Sequence, residues 1–136
     1  METVRLGIIG VGNIGSAHAK ALHEGKVTDA VLHAVCDTDP AKLEWATENL
    51  PDVAQYNDYH QLLDDHICDA IIIATPHYDH PVIAIEGFEK GYHVLSEKPA
   101  GVYTKKVREM NEVAARSGKA FALMFNQRTN PLYQKV

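Results

Sequence analysis

The 136-residue chain has the length of one ordinary domain, and its 46% hydrophobic and 23% charged residues are typical of a globular protein. Its formal net charge of -5 argues against a nucleic-acid partner, because phosphate binding requires a concentrated basic face. Its longest apolar run, residues 70–75, is too short to cross a bilayer, so we expect no membrane partner.

Strand-like and helix-like segments alternate along the whole chain. Short apolar, β-branched runs predict strands, and longer segments rich in Ala, Leu, Glu and Lys predict helices. The strands are expected at residues 4–9, 30–36, 53–56, 70–74, 92–95 and 120–125. The helices are expected at residues 13–24, 41–49, 57–65, from between 77 and 80 to 90, and 104–116.

Capping residues support several of these boundaries. Asp39 followed by Pro40 predicts the cap and first residue of the second helix. Either Asn57 or Asp58 caps the third helix, and Thr104 is a candidate cap for the last. Six strands joined by helical crossovers predict an α/β fold with a doubly wound parallel sheet, the Rossmann arrangement. Ligands bind such sheets at the carboxyl ends of the strands.

The turn after the first strand carries a G-x-G-x-x-G pattern, which alone would be weak evidence. Here it directly follows a strand and opens a helix, where the glycines permit a tight turn, a close approach to a pyrophosphate, and close helix packing. The free N–H groups of the helix start favour an anion, so we predict a dinucleotide site; a purely structural turn is the alternative. The expected cofactor-binding residues of this turn are Gly10, Gly12, Asn13, Ile14 and Gly15.

Asp37 ends the second strand, at the spacing after Gly15 expected for the acid that accepts hydrogen bonds from the adenosine ribose. A 2′-phosphate would bring like charge against this carboxylate, and the next residue, Thr38, is neutral. We therefore predict NAD over NADP, although Lys42 could bend towards a phosphate. An Asx turn or a cap into the next helix is the alternative role for Asp37.

Two further strand ends carry candidate site residues. The sequence Ala74-Thr75-Pro76 closes the fourth strand, which a doubly wound sheet places beside the first, where a dinucleotide crosses. Lys98 follows the fifth strand, where a lysine would supply positive charge to a substrate hydroxyl or developing alkoxide. Spacing alone leaves open the alternative of a surface lysine paired with Glu97.

An ordered set of motifs spans almost the whole chain. It comprises GVGNIG at 10–15, His18, Cys36-Asp37, ATP at 74–76, His80, GYHVLSEKP at 91–99, and FNQR at 125–128. This set resembles the Gfo/Idh/MocA oxidoreductase family. The EKP sequence after a G-x-H-V-L strand is much more specific than the glycine motif, and the two occur in register.

The resemblance implies roles for individual residues. Lys98 would be the motif lysine that contacts substrate and nicotinamide ribose, and we take it as the catalytic residue. Glu97 would lie by the nicotinamide end, and Pro99 would be cis. The residues implied to line the cofactor groove are Thr75, Pro76 and His80.

The resemblance also implies a second domain. Family members continue into a C-terminal α/β domain that provides substrate contacts, oligomer contacts, and usually an Asp and a His for proton transfer. We therefore expect residues 1–126 to be the dinucleotide-binding domain and residues 127–136 to begin a connection into a domain absent from this chain. The complete protein is expected to be a homo-oligomer, and this chain alone to be inactive.

Histidines and cysteines complete the sequence evidence. His77, Asp79 and His80 invite a metal interpretation, but no further ligands follow at zinc spacing, so we predict no metal. His80 is better explained as a groove-side or helix-start residue, and His18 as readily faces solvent. The two cysteines lie in or beside core strands, and no secretory signal precedes the first strand, so we expect a cytoplasmic protein.

These features predict an NAD-dependent oxidoreductase. It would transfer a hydride between nicotinamide and a hydroxyl or carbonyl group of a sugar, cyclitol or related metabolite. A non-catalytic dinucleotide-sensing module is the alternative, although the intact EKP favours ancestry in an enzyme. An S-adenosylmethionine methyltransferase ranks lower, because it gives no reason for the EKP strand end.

Overall fold

The computed structural model of the chain describes residues 3–98 and 101–124, without the side chain of His77. Within these residues, parallel strands alternate with α-helices. The strands are β1 (Val4–Ile9), β2 (Ala30–Cys36), β3 (Ala54–Tyr56), β4 (Ala70–Ile73), β5 (His93–Glu97) and β6 (Phe121–Met124). The helices are α1 (Asn13–His23), α2 (Pro40–Asn49), α3 (Tyr59–Asp65), α4 (His80–Glu89) and α5 (Thr104–Ser117).

The strands form one sheet in the order β3-β2-β1-β4-β5-β6, and each pairing is parallel. The predicted doubly wound α/β fold is therefore confirmed. The order reverses at β1, which pairs with β2 on one side and β4 on the other. A crevice for ligands opens where chain connections leave in opposite directions, at the carboxyl ends of these strands.

Two hydrophobic clusters cover the two faces of the sheet. Successive β4 residues alternate between them: Ile71 and Ile73 belong to one cluster and Ile72 to the other. The first cluster includes side chains of α3, α4 and α5, and the second includes side chains of α1 and α2. Because helices cover both faces, all four residues of β4 are buried, as its continuous apolar sequence predicts.

Side-chain caps fix the starts of α2 and α3. Asp39 accepts a hydrogen bond from the Ala41 amide at 2.9 Å, as predicted. Asp58, rather than Asn57, caps α3 by accepting from the His60 amide at 2.9 Å.

Several boundaries predicted from sequence differ from the structure by one or two residues, and two of the differences bear on a cap or on the crevice. Thr104 is the first residue of α5 rather than its cap; extended Tyr103 precedes the helix without a side-chain cap hydrogen bond. Strand β5 continues past Leu95 to Glu97, because Ser96 pairs with Ile73 of β4 and Glu97 pairs with Met124 of β6. Strands β4 and β6 are distant from the end of β5 along the chain, so the local sequence does not indicate this extension. The longer strand carries Glu97 to the edge of the crevice.

The predicted start of α4 is confirmed. A 3-10 turn over His77–Asp79 leads into the helix at His80. None of the described helices is long and apolar enough to cross a membrane.

Candidate functional site

The glycine-rich turn lies between the ends of β1 and β4, and two of its glycines are required by contacts. Gly10 has φ +100, and a Cβ there would lie 2.7 Å from the backbone of Ala74. A Cβ on Gly15 would lie 1.8 Å from the Gly10 carbonyl oxygen. The turn and the first turn of α1 therefore pack as tightly as the motif predicts.

Gly12 differs from these two glycines, because a Cβ there would meet no protein atom within 4 Å. It has extended backbone at the cap of α1 and offers no side-chain hydrogen bond to the helix. The first N–H groups of α1 therefore have no capping side chain and are open to an anion. The open space beside Gly12 fits a ligand rather than protein packing.

Two grooves adjoin this turn. The first, of about 420 Å³, has Gly10 and Asp37 in its wall and an apolar side formed by Tyr59, Val82 and Ile83. The second, of about 370 Å³, contains the other strand-end candidates. Its lining includes Asn13, Ile14, His80, Glu97 and Lys98.

The two grooves share four lining residues and so form a continuous path over the switch point of the sheet. The shared residues are Gly12, Ala74, Thr75 and Pro76. Each of the twelve residues predicted from the sequence to bind cofactor lines one groove or both, except Gly15, which packs beneath the turn.

Both carboxylate oxygens of Asp37 accept hydrogen bonds from backbone amides. Oδ2 accepts from the Val11 amide at 2.8 Å, and Oδ1 accepts from the Asp39 amide at 2.9 Å. The second bond is the Asx turn considered as an alternative to ligand binding. Asp37 therefore both forms the Asx turn and lines the first groove, so the two roles do not exclude each other.

His80 and Thr75 make the floor of the crevice polar. The His80 side chain is buried, and its Nε2–H donates to the Thr75 carbonyl oxygen at 2.7 Å. The Thr75 hydroxyl oxygen is buried and has no hydrogen-bond partner among the described residues. Because an unpaired buried hydroxyl is costly, this oxygen is suited to pair with a ligand in either groove.

Glu97 is paired with His18 rather than with Lys98. His18 Nε2 lies 2.5 Å from Glu97 Oε1, and the Glu97 side chain is only 6% exposed. The solvent-facing alternative for His18 is therefore wrong, because α1 packs against the sheet face onto which Glu97 projects. Sequence spacing gave no signal for this contact.

Lys98 is exposed in the bend after β5 and lines the second groove. The structure places no ion pair between Glu97 and Lys98 among the described residues. Pro99, for which a cis peptide bond is expected, lies outside the described residues, as do the FNQR motif and the expected domain boundary after residue 126.

Sequence reasoning missed the apolar wall of the first groove. Tyr59, Val82 and Ile83 come from the starts of α3 and α4, and Val82 is 49% exposed. The available sequence signal was a pair of successive apolar residues, Val82 and Ile83, at a predicted helix start. An apolar wall in the same groove as Asp37 is suited to an aromatic base.

Cys36 also lines the first groove but is a poor nucleophile there. Burial raises the pKa of its thiol to about 12, so the nucleophilic thiolate does not form near neutral pH. Within residues 3–98 and 101–124, no group of three His, Cys, Asp or Glu side chains is arranged to hold a metal ion.

Comparison with known proteins gives a consistent result. A family model described as "Oxidoreductase family, NAD-binding Rossmann fold" matches residues 4–125. A "Glycosyl hydrolase family 109 protein" of Shewanella pealeana is 36% identical over 93% of this chain, and myo-inositol 2-dehydrogenase of Thermotoga maritima is 29% identical over 98%.

A solved structure agrees in fold. Scyllo-inositol dehydrogenase from Lactobacillus casei, with bound cofactor NAD(H) and scyllo-inositol, superposes with a TM-score of 0.92 over 98% of this chain at 29% identity. The chain spans 29% of the Shewanella protein and 39% of each dehydrogenase.

Proposed function

Because the chain belongs to the Gfo/Idh/MocA oxidoreductase family, as its NAD-binding Rossmann domain, we propose that it holds the cofactor for hydride transfer to or from a polyhydroxylated metabolite. The observation that carries the proposal is the continuous path of two grooves, with Asp37 at one end and Lys98 at the other. A dinucleotide needs such a path across the switch point of the sheet.

The residues of this path fit NAD. Gly12 leaves room for a pyrophosphate beside the start of α1, and the orphaned Thr75 hydroxyl offers a buried hydrogen-bonding group. We assign the adenosine half to the first groove, since Asp37 there can accept from ribose hydroxyls and the wall of Tyr59 and Val82 suits adenine. The nicotinamide half is then assigned to the second groove.

Lys98 is our proposed catalytic residue. When bound, NAD supplies the hydride acceptor or donor. The Lys98 ammonium would stabilise the negative charge that develops on the substrate oxygen when its proton leaves. Because Glu97 is paired with His18, its carboxylate does not neutralise this ammonium.

The relatives support a proposal about the substrate class. The relatives described above are named for inositols and for glycosyl hydrolysis, and both names refer to chemistry on polyhydroxylated rings. We propose a sugar, cyclitol or related metabolite for the complete protein. A free hydroxyl on such a ring is the group that a nicotinamide cofactor can oxidise.

Replacing Lys98 by Ala in the complete protein tests this assignment. We expect kcat to fall at least about 100-fold, on the scale of losing one group that stabilises a transition-state oxyanion, while the Kd for NADH changes less than threefold. The assay is NAD reduction with a panel of inositols and sugars, and calorimetry gives the Kd.

Lys106→Ala is the matched control, because this exposed lysine on α5 lines neither groove. Unchanged turnover in Lys98→Ala would remove Lys98 from the proposed role. NADH binding without turnover on any member of the panel would instead favour a dinucleotide-sensing module.

We also propose a cytoplasmic location and a homo-oligomeric complete protein. Support for the location comes from Cys36 and Cys68, which are both free and buried. Sedimentation of the complete protein tests the assembly, and fractionation of cells tests the location.

A further inference from the structure

We infer that Asp37 is a positioning residue for the glycine-rich turn, in addition to its proposed contact with the adenosine ribose. Its carboxylate would hold the turn in the shape that presents Gly12 and the start of α1 to the pyrophosphate. This inference rests on the proposed cofactor site and concerns a part of the cofactor that Asp37 does not itself contact.

Two consecutive amides of the turn bond to the end of β2. The Gly10 amide donates to the Cys36 carbonyl oxygen at 2.8 Å, and the Val11 amide donates to Asp37 Oδ2 at the same distance. Val11 as a whole residue is 1% exposed, so its amide has little access to replacement water. Of these two bonds, only the one to Asp37 depends on a side chain.

The opposite side of the turn is held by close packing. The backbone of Ala74 lies against Gly10, and the Gly10 carbonyl oxygen lies against Gly15 of α1. The turn is therefore clamped between β2 and β4. Loss of the Asp37 carboxylate removes one of the two bonds on the β2 side and leaves the Val11 amide without its acceptor, while the bond from Gly10 to Cys36 remains.

The carboxylate has capacity for both roles. An ionised Asp offers about four acceptor sites, and the Val11 and Asp39 amides use one on each oxygen. The remaining sites can accept ribose hydroxyls. It follows that replacing Asp37 in order to admit a 2′-phosphate also loosens the turn that binds pyrophosphate. Such a substitution therefore weakens the binding of both NAD and NADP.

Hydrogen exchange of the Val11 amide in the full chain, without ligand, tests the inference directly. In Asp37→Ala we expect this amide to exchange at least about tenfold faster, the scale of losing one buried hydrogen bond. Asp37→Asn, with one amide oxygen in place of two carboxylate oxygens, should lie between Asp37→Ala and the unaltered chain. We also expect Asp37→Ala to weaken binding of reduced nicotinamide mononucleotide, which has a phosphate but no adenosine.

Asp58→Ala is the matched control, since it also removes a carboxylate that accepts a backbone amide at 2.9 Å, but lines neither groove. It should leave Val11 exchange unchanged. Unchanged Val11 exchange in Asp37→Ala overturns the inference, even if NADH affinity falls. Absence of NADH binding in the unaltered chain would contradict the proposed function instead, and the exchange result would still decide the role of Asp37.

Discussion

At the scale of single residues, we propose that Asp37 governs which dinucleotide fits. Its carboxylate stands at the wall of the first groove, where a 2′-phosphate would meet it. Two unit charges about 4 Å apart repel by roughly 4 kcal/mol at an effective dielectric near 20. Screening by solvent reduces this figure but does not change its sign.

We therefore expect NADP to bind at least tenfold more weakly than NAD. In Asp37→Ser, the ratio of the two Kd values should become smaller, while both cofactors bind more weakly than to the unaltered chain. Calorimetric Kd values for the two cofactors provide the measurement. Tighter binding of NADP by the unaltered chain would show that the preference is wrong.

A second residue-scale effect concerns pH. Arg5 donates to Asp69 Oδ1 at 2.7 Å and to Oδ2 at 3.1 Å, and these hydrogen bonds lower the pKa of the Asp69 carboxyl to about 2 from 3.8. Because the folded-state pKa lies below the unfolded one, the pair stabilises the fold fully above about pH 4 and progressively less as the pH falls towards 2.

Asp69→Asn should lower the free energy of unfolding at pH 6 by about 0.5–1 kcal/mol, since both side chains are exposed and screened. The difference from the unaltered chain should shrink between pH 4 and pH 2. Urea unfolding at several pH values measures it, and a difference independent of pH would contradict this assignment.

At the scale of elements, different glycines of the β1-α1 connection serve helix packing and ligand approach. Gly15 is needed for packing, whereas Gly12 faces open space. We expect Gly12→Ala to change the free energy of unfolding by less than about 0.5 kcal/mol, because the added methyl group meets no protein atom. NADH affinity should nevertheless fall at least tenfold, since the methyl group occupies the space proposed for the pyrophosphate.

Gly15→Ala is the contrasting variant. Its Cβ would overlap the Gly10 carbonyl oxygen, so α1 must move from β1, at a cost of roughly 1–3 kcal/mol. Thermal unfolding and NADH titration of both variants provide the test. Equal stability losses in the two would contradict the distinction.

At the scale of the whole molecule, the pair of His18 and Glu97 joins the two halves of the doubly wound sheet. His18 lies on α1 after the first strand, and Glu97 ends β5 in the second half. The pair therefore connects the helix proposed to bind pyrophosphate with the strand that precedes Lys98. A buried carboxylate needs such a partner.

His18→Ala should lower the free energy of unfolding by about 2 kcal/mol, because the Glu97 carboxylate loses its partner. Adding Glu97→Gln should recover part of the loss, since a neutral amide tolerates burial better. The control is His60→Ala, which breaks the more exposed pair with Glu86 and should cost less than about 1 kcal/mol. Equal losses in urea unfolding would contradict the role of His18.

Much of the fold was accessible from sequence because its signals are local. Gly-rich turns, the Asp39-Pro40 cap and the alternation of apolar runs each act within a few residues. The end of β5 was predicted wrongly because pairing with other strands decides it: Ser96 pairs with β4 and Glu97 pairs with β6.

The sequence by itself determined the doubly wound fold, the family, and the placement of Asp37 and Lys98 at strand ends. Motif order and strand periodicity are properties of the linear sequence, so they can be identified without the tertiary structure. Only the tertiary structure decided that Asp37 holds the Val11 amide, that Glu97 pairs with His18, and that Tyr59 and Val82 wall the first groove. These contacts join residues from different elements, and their distances depend on how helices dock on the sheet, which local sequence does not specify.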